Sequence, residues 1–399
     1  MIVQHKPQLH LTYCQNIHPG ESWAENFAAI KDHAFAVKQR VCPDQWFGLG
    51  LRLSARSVAE LLQPAAREEA LDFFGSNELY PFTVNGFPYG QFHKERVKEQ
   101  VYAPDWRTPE RRDYTIQLAD ALAALLSEGI EGSISTVPCS YKPWITTQDE
   151  KLGIAHNLAA CVAYLEALRE DTGRTIHLGL EPEPDCYLET TAETISFFKE
   201  LIFTEGVDEV ARILGYDRSR AEEVVRRHLG VCFDTCHVAM QFEDPHESLR
   251  AYQAEGIRIS KIQISNAVQA YGTDAAREAL ASFSEPIYLH QVKGRTKSGE
   301  HVAYTDLPDA LQALPDFSNI EELRVHFHVP LFFNGSGPVT STSATLTPDF
   351  LHELRSGLCP HLEIETYTFD VLPQEVHPGD IVRSIAREYS WVLSRIEGL

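Results

Sequence analysis

The most constraining feature of this sequence is a short apolar segment that runs directly into two carboxylates and two prolines. It reads His177-Leu178-Gly179-Leu180-Glu181-Pro182-Glu183-Pro184. The apolar part is too short for a helix, and the glycine and prolines oppose one, so a buried strand followed by a turn is predicted. Because successive side chains of a strand point to opposite faces, Glu181 and Glu183 are predicted to share one face.

Two later segments end in the same way, with acidic or imidazole side chains directly after an apolar strand. Val231 to His237 contains Asp234 and His237, and Leu362 to Tyr367 contains Glu365. All of these side chains are common metal ligands. Because the strands of one parallel barrel end at one rim, we predict a shared site at the carboxyl ends of these strands.

Predicted strands and helices alternate from one end of the chain to the other. The predicted strands begin at His10, Phe47, Tyr80, Ser133, His177, Gly230, Ile259 and Leu362. Such alternation predicts a parallel sheet with helices on both faces. The number of units favours closure into an α/β TIM barrel, the (β/α)8 fold, over an open sheet, and active sites in that fold lie at the strand carboxyl ends.

Residues 268–322 do not fit one βα unit and are interpreted as an insertion between the late strands. A hairpin is predicted inside it, with Ile287 to Val292 against Glu300 to Tyr304. The next segment, 323–330, is predicted to be a strand or a strand-like loop entry. No low-complexity linker interrupts the chain, so residues 1–399 are predicted to form a single TIM-barrel domain that includes the insertion at about 268–322.

The charge balance limits the partners of the chain. Asp and Glu number 57 against 35 Lys and Arg, which gives a formal net charge of −22. Such an acidic surface repels phosphate backbones and anionic lipid, so no nucleic acid is expected as a partner. The eight cysteines form no Cys-x-x-Cys pair, which is typical of reduced thiols, and no apolar run approaches the length of a membrane span. We therefore expect a cytoplasmic protein.

One set of residues has the donor atoms of a divalent-metal site: Glu181, Asp234, His237, His328 and Glu365. Carboxylate and imidazole donors suit Mn, Zn, Fe, Co or Mg, and the sequence leaves the identity of the metal open. A bound metal can polarise a carbonyl or phosphoryl oxygen while carboxylates at its edge move protons. A single strand-end glutamate is often only a salt-bridge partner or loop cap, but five such residues at one predicted rim favour a site.

Several neighbouring residues leave the assignment open. Glu183 shares a face with Glu181, and Glu363 shares one with Glu365, so one member of each pair can be structural. Which histidine of the segment 326–328 is the ligand is also open. The candidate substrate-binding residues on the predicted rim are Asn16, His18, Asn85, Lys142, Gln263 and His326.

Two other chemistries lack their sequence motifs. The chain contains no Gly-x-Gly-x-x-Gly, no P-loop and no Gly-x-Ser-x-Gly. Hydride transfer with a Rossmann-bound cofactor and serine hydrolysis are therefore poor interpretations.

Four of the motifs resemble the xylose-isomerase-like TIM barrels, the superfamily of sugar phosphate isomerases and epimerases and of endonuclease IV. They are Glu-Pro-x-Pro at 181–184, Asp-x-x-His at 234–237, the histidine segment at 326–328 and Glu-x-Glu-Thr at 363–366. A closer resemblance, essentially end to end, is to one branch of that superfamily, the metabolite traffic protein EboE. It is carried by HLTYC at 10–14, NIHPGESW at 16–23, NGFPYG at 85–90 and EIETY at 363–367.

The resemblance implies a TIM barrel with a divalent metal at its carboxyl-terminal rim. Carried over by motif, Glu181, Asp234, His237, His328 and Glu365 would be the ligands, with Glu181 and Glu365 also acting as catalytic acid and base. EboE-like proteins are encoded in clusters associated with the export or processing of small secondary metabolites. The resemblance therefore implies a small polyol, sugar or cyclitol substrate, and it leaves a homo-oligomer or other proteins of the same cluster as protein partners.

Two positions depart from the family pattern. Xylose isomerases have a polarising lysine at the third position of Glu-Pro-Lys-Pro, where this chain has Glu183. Epimerases and endonuclease IV have a ligand histidine on strand seven, which is predicted here over Ile259 to Asn266, and the matching residue is Gln263. An epimerase-type metal shell is therefore incomplete on strand seven.

Three hypotheses follow. The first is an enzyme, a divalent-metal-dependent isomerase or epimerase that acts on a sugar, a cyclitol or its phosphate through an enediolate. The second is a barrel that binds and hands on a metabolite without turnover. The third is phosphodiester cleavage of the endonuclease IV type, which the charge of −22 disfavours.

Overall fold

The computed structural model describes residues 1–90, 98–283, 289–369 and 379–396. Its strands are β1 (Ile2–His5), β2 (Gln8–Tyr13), β3 (Phe47–Arg52), β4 (Leu79–Asn85), β5 (Gly132–Thr136), β6 (Ile176–Leu180), β7 (Leu229–Asp234), β8 (Arg258–Ile264), β9 (Asn266–Tyr271), β10 (Val292–Thr296), β11 (His301–Tyr304), β12 (Ile320–Val329), β13 (Val339–Ser341) and β14 (His361–Ile364). Its α-helices are α1 (Trp23–Ala29), α2 (Phe35–Val41), α3 (Ala55–Leu61), α4 (Pro64–Ser76), α5 (Pro109–Leu125), α6 (Gln148–Thr172), α7 (Thr191–Phe197), α8 (Val207–Leu214), α9 (Arg218–His228), α10 (Thr235–Met240), α11 (Pro245–Ala254), α12 (Asp274–Ala281), α13 (Leu307–Ala313), α14 (Pro348–Glu353) and α15 (Ile381–Ile396). The same ranges include π-helical turns over Ile30–Ala34 and Phe198–Gly206.

Eight of the strands form a closed parallel barrel. Parallel pairings join them in the order β2-β14-β8-β7-β6-β5-β4-β3. A parallel bridge between Cys14 and Gly50 brings the end of β2 next to β3 and closes the ring. β1 pairs with β2 as an antiparallel strand outside the ring. This closed order confirms the (β/α)8 TIM barrel that the sequence predicts.

A second sheet is antiparallel and has the order β11-β10-β12-β9-β13. Strand seven was expected to continue to Asn266, but β8 ends at Ile264 and the chain enters β9 of the second sheet at Asn266. The segment 323–330 lies mostly in β12, so it belongs to this inserted sheet and not to the barrel. The inserted sheet thus spans 266–341, which is wider than the predicted insertion at 268–322. The single-domain organisation of residues 1–399 stays a prediction.

The hairpin inside the insertion is displaced along the chain from its predicted position. β10 and β11 pair from Val292 opposite Tyr304 to Arg295 opposite His301. The predicted first strand therefore ends where β10 begins, and Ile287 lies outside the described residues. The physical reason is that β10 alternates buried with half-buried residues, so its Lys293 and Arg295 resemble turn residues in the sequence.

Local sequence signals begin many of the helices around the barrel. A serine or threonine cap with a glutamate three residues later begins α1, α6 and α7, at Ser22, Thr147 and Thr190. Pro109 is the first residue of α5, where its missing N–H costs nothing. In the described part of the chain, no helix combines the length and the apolar character that crossing a membrane requires.

The interior of the barrel contains a buried ion pair. Lys261 on β8 donates from Nζ to Glu363 Oε2 on β14 at 2.6 Å, with both side chains out of contact with solvent. Asn85 at the end of β4 donates to both oxygens of Glu363, at 3.0 and 3.1 Å, and accepts from Lys261 at 2.8 Å. Gly50 on β3 leaves the space for Glu363, because a Cβ at this position would overlap Glu363 Oε1 and lie 2.9 Å from the Tyr13 carbonyl oxygen.

We predict that Gly50→Ala destabilises the protein by about 1–3 kcal/mol, because the added methyl group displaces a buried, paired carboxylate. The matched control is Gly153→Ala in α6, where a Cβ meets no atom within 4 Å. That substitution should raise stability by about 0.5–1 kcal/mol, since glycine is unfavourable inside a helix. Urea unfolding followed by circular dichroism measures both, and equal midpoints for the two variants would contradict the prediction.

Candidate functional site

Three strands of the barrel bring carboxylates to one rim. Glu181 follows β6, Asp234 is the last residue of β7, and Glu365 follows β14. The backbone N–H of Glu181 donates to Thr136 O, and that of Glu365 donates to Ile264 O, both at 3.1 Å. The backbone at Glu181 and Glu365 is still hydrogen-bonded to a neighbouring strand, and Asp234 is itself the last residue of β7. The barrel therefore fixes the positions of all three carboxylates.

The three carboxylates approach one another closely in a buried environment. One oxygen of each lies within 4.8 Å of one oxygen of the other two. Asp234 Oδ1 accepts from the N–H groups of Cys236 and His237 and from Ser265 Oγ, at 2.7, 3.1 and 2.7 Å. Asp234 Oδ2 and Glu365 Oε2, by contrast, accept no hydrogen bond from any donor in the described ranges, although both atoms are buried.

The mutual repulsion of these buried carboxylates favours the binding of a proton or a cation between them. Burial and then the charge of Asp234 raise the pKa of Glu181 well above its usual range. Burial, then Glu181 and Asp234, do the same to the pKa of Glu365. Burial opposes ionisation of Asp234, but His237 and His328 outweigh it and hold the pKa of Asp234 below its usual range. Since buried like charges repel, either protons or a cation must be shared among these groups.

Three histidines form a second donor set beside the carboxylates. His237 lies on α10, and His326 and His328 lie two residues apart on β12, so both point to the same face of that strand. His326 Nε2 lies 3.0 Å from His237 Nε2 and 3.1 Å from His328 Nε2. We call Glu181, Asp234 and Glu365 the carboxylate set and the three histidines the imidazole set. Asp234, His237 and His328 can each place one donor atom within 4.8 Å of the other two, so the two sets adjoin, and the five-ligand site stays a prediction.

The other ring nitrogen of each histidine faces an oxygen. His237 Nδ1 lies 3.0 Å from Pro182 O, and His328 Nδ1 lies 3.1 Å from Glu365 O. His326 Nδ1 lies 2.8 Å from Gln291 Oε1. Carbonyl oxygens only accept, so each Nδ1 carries the proton and each Nε2 presents a lone pair. This is the arrangement in which metal-binding histidines are commonly held.

A cleft opens above these two donor sets. Its lining residues are Asn16, Asn85, Phe87, Pro88, Lys98, Val101, Tyr102, Glu181, Glu183, His237, Leu289, His326, His328, Glu365 and Tyr367. Of the expected substrate-binding residues, Asn16, Asn85 and His326 line the cleft. Asn16 Nδ2 donates to Glu365 Oε1 at 2.9 Å, so it also fixes the orientation of that carboxylate.

The remaining expected substrate-binding residues lie outside the cleft lining. His18 Nε2 contacts Tyr13 Oη at 2.9 Å, and Lys142 Nζ donates to Glu189 and Glu193, at 2.5 and 3.0 Å. Both follow barrel strands, but neither side chain lines the cleft.

Gln263 lies one layer below the rim. Its side chain is fully buried, and its Oε1 accepts from Cys232 Sγ at 2.9 Å. The rim residue that follows β8 is Ser265, which donates to Asp234. Glu363 and Glu365 are separated in the same way, with Glu363 paired inside the barrel and Glu365 at the rim.

Three further residues lie at or beside the cleft: Glu183, whose role the sequence left open, and Tyr102 and Gln291, which the sequence did not single out. Glu183 faces the cleft and accepts from Tyr102 Oη at 2.7 Å, and burial raises the pKa of Glu183 to about 8. Gln291 Nε2 donates to Tyr102 Oη and to Pro184 O, at 3.2 and 3.1 Å, which turns its Oε1 toward His326. Tyr102 and Gln291 belong to no motif, so only the fold identifies them.

The donor atoms fit a divalent cation. The buried oxygens of Asp234 and Glu365 that accept no hydrogen bond, together with Glu181, form an anionic oxygen set, and oxygen sets of this kind suit Mg²⁺ or Mn²⁺. The imidazole set suits later first-row metals.

Comparisons with known proteins give structural similarity only. No protein-family model matches the chain, and no curated protein matches it. The probable 3-DHS dehydratase AsbF, involved in petrobactin synthesis in Bacillus anthracis, is 12% identical with a TM-score of 0.47, over 96% of this chain and 98% of that one. The IOLI protein with a binding zinc atom is 12% identical with a TM-score of 0.46, over 97% and 99%. A D-tagatose 3-epimerase-like protein is 12% identical with a TM-score of 0.47, over 98% and 99%. Similarity at this level assigns neither a family nor a function to the chain.

The loops that carry the site are attached to the last helix through Glu388. This buried residue of α15 accepts from Thr366 Oγ1 at 2.6 Å and from the Leu331 N–H at 3.1 Å. Thr366 follows Glu365, and Leu331 lies just beyond β12. Burial raises the pKa of Glu388 to about 7.

We predict that Glu388 makes the stability of the metal-free protein pH-dependent. Its folded-state pKa of about 7 exceeds the value of 4.5 expected when unfolded, so the folded state binds the proton more tightly. Its stabilising contribution is complete below about pH 4.5 and is lost as the pH rises through about 7, at up to about 1.4 kcal/mol per pH unit. Glu388→Gln should remove this component, whereas Glu68→Gln on the exposed face of α4 should not. Urea unfolding at pH 5.0 and 7.5 tests this, and an unchanged pH difference in Glu388→Gln would contradict it.

Proposed function

We propose that this chain is a divalent-metal-dependent isomerase or epimerase of a sugar, a cyclitol or its phosphate. The observation that carries the proposal is the rim set of Glu181, Asp234 and Glu365, three buried carboxylates with two oxygens that accept no hydrogen bond from the described residues, at the base of a cleft. On the motifs quoted above, we also propose that the chain belongs to the EboE branch of the xylose-isomerase-like barrels.

Glu181, Asp234 and Glu365 would hold the metal, with His237 and His328 at the edge of the same set. Asp234, His237 and His328 can place one donor atom each within 4.8 Å of one another, which supports their inclusion. When bound, the metal would polarise a substrate carbonyl or hydroxyl oxygen and make the neighbouring C–H group more acidic.

The two glutamates are suited to move the substrate proton. Glu181 and Glu365 follow strands that are separated by β7 and β8, so they reach the cleft from different parts of the rim. Both carboxylates line the cleft, so each can exchange a proton with a substrate bound there. Epimerisation results if one carboxylate removes the proton from carbon and the other returns a proton to the opposite face. Isomerisation results if the proton is returned to the adjacent carbon.

The remaining residues of the cleft would orient the substrate. Asn16 holds one oxygen of Glu365 and leaves the other directed to the proposed metal and substrate. Tyr102 fixes Glu183 and packs between the rings of Phe87 and Tyr141, with ring centroids 5.8 and 5.6 Å away. This aromatic wall would face the C–H side of a polyol ring, opposite the oxygen donors.

One observation favours a barrel that binds a metabolite without turnover. β8 supplies Ser265 at the rim instead of a carboxylate or an imidazole, so one position that could hold a metal ligand holds a hydroxyl group. In this second candidate function the same cleft binds the polyol, and Glu181 and Glu365 move no proton. Involvement in secondary-metabolite traffic, and contact with proteins of the same cluster, are proposed from the motif resemblance alone.

We predict that the wild-type protein retains about one equivalent of Mn²⁺ or Zn²⁺ after loading and desalting, through the carboxylate set. Asp234→Asn combined with Glu365→Gln should abolish retention at that set, because both oxygens that accept no hydrogen bond are affected. Glu223→Gln, an exposed change on α9, is the control and should leave retention unchanged. Elemental analysis of the three proteins is the measurement, and equal metal content in all of them would refute the proposed site.

Turnover is tested separately by proton exchange. In deuterium oxide, the metal-loaded protein should incorporate deuterium next to the carbonyl of its substrate among ketoses and keto-cyclitols, as seen by proton NMR. Glu181→Gln and Glu365→Gln should each slow this exchange by about 10²–10⁴-fold. Binding of a panel member with no exchange, in metal-loaded wild-type protein, would overturn the enzyme and support the metabolite-binding barrel.

A further inference from the structure

We propose that the cleft takes a polyol that carries an amino group, and not a phosphate ester, and that Glu183 binds the ammonium group. This inference rests on the proposed function, because it concerns the substrate of the same cleft, but it requires neither a particular metal nor turnover. It also gives a role to Glu183, which the sequence left open. Among the described residues that line the cleft, Glu183 is the carboxylate that lies outside the carboxylate set.

The orientation of Glu183 is fixed before any ligand binds. Its backbone N–H donates to Leu188 O at 3.1 Å, and its carbonyl oxygen accepts from the Cys186 N–H at 3.2 Å. Tyr102 Oη donates to Glu183 Oε1 at 2.7 Å, and Gln291 Nε2 donates to Tyr102 Oη at 3.2 Å. A carboxylate that is already held in place loses little conformational freedom on binding, so it is suited to recognise one group of a ligand.

The chain itself supplies no cation to Glu183. The residue is only 8% exposed, and it forms no ion pair with a lysine, arginine or histidine of the described ranges. Within those ranges its Oε2 accepts no hydrogen bond either. A buried carboxylate without a counter-charge is unfavourable, so a cationic group of a ligand gains from contact with it. An ammonium group beside Glu183 would in turn stabilise the ionised form of the carboxyl group.

The described part of the cleft offers no free group that recognises a phosphate ester. Lys98 is the only lysine or arginine among the lining residues, and its Nζ is paired with Asp306. The N–H groups at the beginning of α10 are also occupied, because those of Cys236 and His237 donate to Asp234 Oδ1. Phosphate binding in proteins relies on basic side chains and helix N-termini, and here both are already satisfied by the chain.

The remaining character of the cleft also favours an amine. Three ionised carboxylates in the carboxylate set exceed the charge of one divalent ion, so the metal-loaded rim would still repel a phosphate ester. Phe87, Tyr102 and Tyr367 line the same cleft, and an ammonium group interacts favourably with aromatic rings. A fixed carboxylate beside aromatic side chains is therefore the arrangement that selects the amino polyol.

The test compares ligands that differ in charge, by isothermal titration calorimetry on metal-loaded, full-length protein at neutral pH. The probes are D-fructose, 1-amino-1-deoxy-D-fructose and D-fructose 1-phosphate, together with pentaerythritol and its amino counterpart tris(hydroxymethyl)aminomethane. We expect each amino probe to bind at least about 10-fold more tightly than its neutral counterpart, because hydrogen bonds to a charged group are the stronger ones. The phosphate ester should bind more weakly than D-fructose.

Glu183→Gln removes the charge and keeps an acceptor for Tyr102. It should abolish the preference for the amino probes and leave the affinity for D-fructose unchanged. Glu223→Gln on the exposed face of α9 is the matched control and should retain the preference. If the amino probes still bind more tightly to Glu183→Gln, the amine contacts the metal or another group, and the proposal is overturned. Loss of metal retention in this variant would make Glu183 a metal ligand and would overturn the proposal as well.

The outcomes separate this proposal from the proposed function. If the amino preference is present but deuterium exchange is absent, the ligand class stands and the enzyme fails. If exchange occurs while the amino probes bind no better than the neutral ones, or while the phosphate ester binds most tightly, the enzyme stands and the ligand class is overturned. Should Glu183→Gln not fold, wild-type protein decides, because absence of binding by both amino probes would overturn the proposal.

Discussion

The buried ion pair between Lys261 and Glu363 is the interaction on which the interior of the barrel depends. Loss of one partner would leave an uncompensated charge in the core, which typically costs about 3–5 kcal/mol. Asn85 bonds to both charges and also lines the cleft above them, so the pair fixes the floor of the site. The ion pair also requires glycine at position 50, because Glu363 occupies the space where a Cβ of residue 50 would lie. The ion pair therefore stabilises the barrel interior and also positions Asn85, a residue of the cleft.

One layer above this pair, the charges are not balanced by the chain. Glu181, Asp234 and Glu365 are buried at the rim, and in the described ranges their ion-pair contacts are with histidines rather than with lysine or arginine. Burial and the negative charges of the neighbouring carboxylates raise the pKa of both glutamates, and a carboxylate set in that state gains most from a cation. In the lower layer each charge has an opposite charge beside it, and those residues stabilise the fold. In the rim layer the carboxylates have no lysine or arginine partner among the described residues, and they are the ones available for chemistry.

The rim positions of Glu181, Asp234 and Glu365 were predictable because each comes directly after an apolar strand, and parallel strands of a barrel end together. The same reasoning placed Gln263 at the rim, but its side chain lies one layer deeper inside the barrel. The pairing of β7 with β8 shifts by one residue near the middle of the strands, so Gln263 lies opposite Asp234 but inside the barrel, and Ser265 reaches the rim. A bulge of this kind is not evident in the sequence from Ile259 to Asn266, where apolar and polar residues alternate beyond it.

The imidazole set was only partly predictable, because two of its three histidines, His326 and His328, come from a different sheet. The alternation of β12 shows that His326 and His328 share a face, but it does not show which sheet the strand joins, and only the fold brings that face against His237. Gln291 and Tyr102, which orient His326 and Glu183, are likewise distant in sequence and carry no motif. His237 and the three carboxylates lie at or directly after the ends of barrel strands, whereas the positions of His326 and His328 depend on how the inserted sheet packs against the barrel, through contacts that include His328 Nδ1 to Glu365 O at 3.1 Å.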